Sequence, residues 1–181
     1  MKRASDDLMH EHEAILFSLN VLEKIYSSVE SGMEVPVKDI NDLIDFLKLF
    51  ADKCHHGKEE GLLFPALQQA GMPLEDGPIR VMLDEHNTGR NFIKQMQESV
   101  SGNRISKDEF VKAARGYVSL LRNHIDKENN ILFPMGDKML SEAKQAELID
   151  AFEKFEEEVI GRGKHEELHR QLEEFNKKYM Q

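Results

Sequence analysis

Tryptophan is missing from this 181-residue chain, cysteine occurs once, and proline and glycine number only 5 and 11. A lone Cys54 excludes an internal disulfide framework and points to a reducing, cytoplasmic setting. With so few breakers, and with Lys, Glu and Leu abundant, long helices can run uninterrupted. No apolar run approaches the roughly 18–20 residues that a membrane-spanning helix requires. The opening residues, MKRASDDLMHEHE, turn acidic at once and lack an apolar signal core, so no secretion signal is expected. Basic residues are outnumbered, 24 Lys and Arg against 34 Asp and Glu, for a formal net charge of -10. That balance argues against nucleic-acid binding and against docking on anionic membranes.

The chain does contain helical periodicity. Over residues 6–30, Leu8, Ile15, Leu19, Leu22 and Ile25 recur at spacings of one helix face, with Ser5 or Asp6 as the expected cap. Further helices are expected at about 37–70, with Gly57 and Pro65 loosening the latter part, and at about 78–100. A fourth opens at Ser106, where Glu109 would complete a capping box. Residues 141–160 and 164–180, split by Gly161-Arg162-Gly163, read as two more. The expected fold is all-α. Residues 1–140 form an up-down-up-down four-helix bundle, and residues 141–181 form a C-terminal helical extension packed on it. Forty residues make a poor independent core.

One stretch repeats. CHHGKEEGLLFP at 54–65 returns as HIDKENNILFP at 124–134. Aligned on Leu-Phe-Pro, each copy is a histidine followed four residues later by a glutamate, His55 with Glu59 and His124 with Glu128. The first copy holds a second frame, His56 with Glu60. The alignment favours His55, which would leave His56 and Glu60 about 100° further around the helix, at the rim and either facing solvent or hydrogen-bonding to neighbours. The Leu-Phe-Pro segments are expected to pack, to end helices and to keep the neighbouring groups dry.

Helix registers bring more histidines to the same depth. His12 lies 18 residues before residue 30, His55 lies 18 after residue 37, and His124 lies 18 after Ser106. At a rise of about 1.5 Å per residue these fall at one level on antiparallel helices. His86, early on the third helix, joins them. A histidine from each helix and a glutamate on the same face one turn from His55 and His124 make a dinuclear metal site plausible, since a carboxylate can bridge and imidazole suits iron, zinc or manganese. Around this set, His10 points away from the apolar side that His12 continues, Glu85 sits at the rim, and Tyr117 and Cys54 read as core. His165 and His169 could fold over the open end.

LMHEHEAI (8–15), HHGKEEGLLFP (55–65), GPIRVMLDEHNTGR (77–90) and HIDKENNILFP (124–134) together resemble the hemerythrin-like, or HHE cation-binding, superfamily over about residues 6–136. The third and fourth stretches are especially similar to the di-iron domain of bacterial iron-sulfur cluster repair proteins. The resemblance implies a bundle holding two non-haem iron ions with oxo and carboxylate bridges, and the ligands His12, His55, Glu59, His86, His124 and Glu128. Oxygen-carrying members have a further histidine where this chain has Arg90, and His-x4-Asp where it has His124 and Glu128. One iron is therefore expected to lack a protein ligand. The repair proteins carry paired cysteines in an extra N-terminal region, and this chain has none.

The expected function is binding or sensing of oxygen, nitric oxide or a related small oxidant. The alternatives are a di-iron oxidoreductase consuming peroxide or nitric oxide, and a metal-buffering or structural site. Passing on a signal or an electron would require a partner protein.

Overall fold

The computed structural model describes residues 2–181. Among them are six helices and almost no sheet, so the fold is all-α. The first helix, Ala4–Glu30, starts before the expected cap. Asp6 lies inside it, and its carboxylate accepts from the Arg3 backbone N–H at 2.8 Å. The second helical rod covers 37–69 and the third helix Pro78–Glu98. A two-stranded ribbon follows, Val100–Ser101 paired antiparallel with Arg104–Ile105, where only a chain break was expected.

The fourth helical rod covers 107–139. Ser106 precedes it without a side-chain cap bond, contrary to the capping-box expectation. Its backbone N–H closes the ribbon on the Ser99 carbonyl at 2.8 Å, and that commitment fixes Ser106 before the helix begins. Glu142–Val159 and Lys164–Phe175 are the fifth and sixth helices, the latter running on through Asn176–Met180. Gly161 and Gly163, at φ of 88° and 76°, make the turn between them in a region that other residues avoid.

The second and fourth rods are not uniform. Leu47–His56, Glu59–Leu63 and Glu128–Leu132 are π-helical. The amide of Gly57 donates to Asp52, that of Phe64 to Glu59 and that of Phe133 to Glu128, each five residues back. Leu-Phe-Pro therefore does not end either rod. It marks the return to α-helix, which continues over Phe64–Gln69 and Phe133–Met139. A wide turn shifts the hydrogen-bond ladder by one residue, and a proline with no N–H is tolerated at that step.

Two apolar clusters result. One gathers Phe46, Phe50, Phe110, Leu121 and their neighbours. The other gathers Leu8, Leu63, Phe64, Ile79, Leu132 and Phe133. On the first and third helices the chain meets the second cluster before the first, and on the second and fourth it meets them in reverse. The C-terminal helices contribute to both, Leu168, Leu172 and Phe175 to the former and Leu148 and Phe152 to the latter. A polar layer lies between them along every one of the first four helices.

Candidate metal centre

The layer is built from one short stretch of each helix. His12, His55, His86 and His124 are 1% exposed, and Glu59 and Glu128 are fully buried. The structure thus brings together all six residues singled out from the sequence. His10, the alternative to His12, is exposed.

Each carboxylate straddles two histidines from different helices. Glu59 places Oε1 3.3 Å from His55 Nε2 and Oε2 3.2 Å from His86 Nε2. Glu128 places Oε2 3.1 Å from His12 Nε2 and Oε1 3.2 Å from His124 Nε2. Nε2 of His12 and of His55 and all four carboxylate oxygens are buried without a hydrogen-bond partner despite these short separations. Such atoms destabilise a fold by about 1–3 kcal/mol each unless something satisfies them.

The far side of each ring explains its orientation. His55 Nδ1 donates to Glu11 at 2.8 Å, His86 Nδ1 to Glu60 at 2.7 Å, and His124 Nδ1 to Glu85 at 2.9 Å. His12 Nδ1 donates to Asn129 Oδ1 at 2.7 Å. Every acceptor is the chain neighbour of a residue in the inner set. Glu11 precedes His12, Glu60 follows Glu59, Glu85 precedes His86, and Asn129 follows Glu128. Each helix therefore orients the imidazole of the next, and the fourth returns to the first. With Nδ1 committed outward, each ring turns its Nε2 inward, where it offers a lone pair to a cation once any proton there has left. His86 Nε2 and His124 Nε2 face each other at 3.2 Å.

The outer carboxylates are themselves paired. Lys58 contacts Glu11 closely and Glu156 at 3.2 Å, Arg90 Nη2 contacts Glu60 at 2.9 Å, and Lys127 contacts Glu85. Burial would raise Glu11, Glu60 and Glu85, but bonds to His55, to His86 and to His124 respectively, with these cations, hold each carboxyl below its ordinary value. In the inner set burial also opposes charge. It would lower His55, yet the Glu59 charge and the Glu11 and Glu59 contacts hold the ring up at about 10. His124 is likewise held at about 9 against burial by Glu128 and Glu85. Glu59 stays well below the carboxylate range, burial being outweighed by His55 and His86.

His56 departs from expectation. It is 3% exposed, not facing solvent, and its ring stacks on His86 at 3.9 Å between centroids and 18° between planes. The expected 100° separation from His55 assumed an α-helix. In the π turn over Leu47–His56, successive residues diverge less, and both imidazoles face inward. Glu60 does serve as the hydrogen-bonding neighbour anticipated for it. Burial and the neighbouring His86 push His56 down to about 3, so its ring is neutral.

Donor atoms of His56, Glu59, His86 and His124 lie within 4.8 Å of one another, and so do those of His12, His55, Glu59 and Glu128. Glu59 belongs to both groups. Nitrogen and carboxylate donors with inward lone pairs, buried and unsatisfied, fit divalent or trivalent transition-metal ions. Glu11, Cys54 and Glu156 also lie within that range, but the Lys58 ammonium already contacts both carboxylates. Burial pushes the Cys54 thiol up to about 12 despite Lys58, which agrees with its reading as core.

Aromatic rings close the layer toward the second cluster. Phe133 stacks on His12 with centroids 5.6 Å apart, and Phe64 on His86 at 6.0 Å. The fifth helix packs alongside, where a Cβ at Gly57 would meet Phe155 at 2.8 Å. His165 and His169 do not cover the layer. They lie against Phe50 of the first cluster, with ring centroids 5.8 and 6.1 Å away.

Glu11, Lys58 and Asn129 were missed in the sequence. The available signal was their adjacency to an inner residue, Glu11 to His12, Lys58 to Glu59 and Asn129 to Glu128.

Among the described residues no helix is long and apolar enough to cross a membrane. Uncharacterised proteins from Mycobacterium bovis and from two strains of Mycobacterium tuberculosis are each 21% identical over 162 residues, which is 87% of this chain and 63% of theirs. The chain thus spans less than two thirds of the length of these curated relatives. No solved structure gives a significant match. The pattern of the hemerythrin HHE cation-binding domain matches residues 3–136, and the chain belongs to that family.

Proposed function

We propose that this chain is a non-haem di-iron protein that binds or senses oxygen, nitric oxide or a related small oxidant. The observation that carries the reading is the sharing of Glu59, and the matching position of Glu128, between two groups of inward-facing imidazoles. One ion would be held by His12 and His55, the other by His86 and His124, with Glu59 and Glu128 contributing an oxygen to each. The reversal of cluster order from helix to helix supports an up-down-up-down bundle over residues 1–140, with 141–181 as its extension.

Bound iron supplies open coordination positions and electrons for a diatomic or peroxide ligand. The chain's own residues supply the rest. Glu11, Glu60, Glu85 and Asn129 fix the four ring orientations and keep the protons on Nδ1. Lys58, Arg90 and Lys127 balance the outer carboxylates. Phe64 and Phe133 exclude water from one side of the layer.

The test is an iron-loaded protein purified without a metal-affinity tag, its optical spectrum recorded with and without air. An oxo-bridge band that responds reversibly to oxygen or nitric oxide supports binding. Turnover of peroxide or nitric oxide far above free iron replaces the binding reading with an oxidoreductase. Zinc as the only tightly held metal, with no redox response, overturns both.

A further inference from the structure

We propose that His56 is a metal ligand, the third imidazole on the ion held by His86 and His124, delivered from the second helical rod. The inference rests on the metal-site reading above.

His56 is the one imidazole in the layer with neither nitrogen hydrogen-bonded, and both are fully buried. Packing alone does not account for it. A phenylalanine there would fill the space and stack on His86 without burying two unsatisfied polar atoms, which are expensive in a dry interior. The donor atoms of His56, Glu59, His86 and His124 already form one compact group. The nitrogen nearest a protein partner is Nδ1, 3.5 Å from Asp52 Oδ1, too long for a good hydrogen bond. That leaves Nε2 as the ligating atom, with Asp52 behind the ring as Glu60 stands behind His86.

Two features of the chain serve this placement. The first is the π-helical turn over Leu47–His56, which lets adjacent His55 and His56 face inward together. Wide turns of this kind are rare and are frequent at functional sites. The second is Arg90. It sits four residues after His86, where a ligand would face the layer, and instead reaches outward. Its Nε contacts Asp52 at 2.9 Å and its Nη2 contacts Glu60 at 2.9 Å. One guanidinium thus holds both carboxylates that back the stacked pair. The two ions would then differ by count, three imidazoles against two.

The test uses zinc, a diamagnetic probe, on the full metal-free chain. Proton–nitrogen correlation spectra of the zinc-loaded protein are expected to show a metal-bound nitrogen on five rings, His56 among them. His56→Phe, which keeps the stack, is expected to weaken one of two zinc-binding events, measured by chelator competition. The loss should exceed the roughly 10–100-fold that removal of an outer partner causes. Bound nitrogens on His12, His55, His86 and His124 but not His56, with His56→Phe binding both ions normally, overturn the inference and leave the metal centre standing. Zinc that perturbs none of these rings overturns the metal-centre reading itself. If His56→Phe fails to fold, the wild-type spectrum decides.

Discussion

Phe110 and Glu59 are both fully buried, yet the regions around them are held together in opposite ways. The cluster around Phe110 joins apolar side chains from several helices, and its stability comes from area removed from water, independent of anything bound. The layer around Glu59 and Glu128 takes carboxylates and imidazoles out of water and leaves several of their atoms without hydrogen bonds. A buried charge is tolerated only when paired or coordinated. The first region is complete as a polypeptide, and the second becomes complete with cations in it.

The sharpest way to break that contrast is to remove the shared carboxylate. Glu59→Ala should lose both ions, because Glu59 lies in both donor groups. Elemental analysis of the purified variant checks this, and retention of both ions would sever the two groups from each other. Next in size is Phe110→Ala. Its expected loss of about 3–5 kcal/mol should be the same in metal-loaded and metal-stripped protein, measured by denaturant unfolding. A loss that depended on metal would show that the two regions are not independent.

Smaller effects belong to the outer ring. Glu11→Gln keeps an acceptor for His55 but removes its charge, and Glu85→Gln does the same for His124. Each should weaken metal binding by roughly 10–100-fold, read by chelator competition, with little change in helicity.

The most gradual effect is a pH dependence. In the metal-free protein His55 and His124, held up at about 10 and about 9, carry protons at neutral pH. Metal must displace them, so affinity should rise with pH by about tenfold per unit for each proton released. The sign for metal-free stability is the opposite. The contribution of these protonated rings is fully present below their ordinary value of 6.5 and is lost as pH climbs through about 9 and 10. Zinc titrations and thermal melts across that range measure the two slopes.

The same contrast explains what could be read from the sequence. The apolar faces were visible because helical periodicity reports burial directly, as with Leu19, Leu22 and Ile25. The inner ligands were visible because the histidine–glutamate spacing repeats before Leu-Phe-Pro. The π turns were not, since no spacing rule announces where an α-helix widens, and the repeat alignment together with an α-helical angle puts His56 at the rim. Proline usually marks a helix end, but here Leu-Phe-Pro follows a ladder already shifted by a wide turn. The outer acceptors were hidden for another reason. Glu11 orients His55 across 44 positions of sequence and Asn129 orients His12 across 117, distances at which only the assembled helices define a pair.

The central claim is that Glu59 and Glu128 stand between two metal ions. Its most direct measurement is the metal-to-chain ratio of protein purified without an affinity tag, reloaded with iron under exclusion of air and freed of weakly bound metal by gel filtration. Two ions per chain are expected. A ratio of one or none, in protein whose helices are intact, would contradict the account.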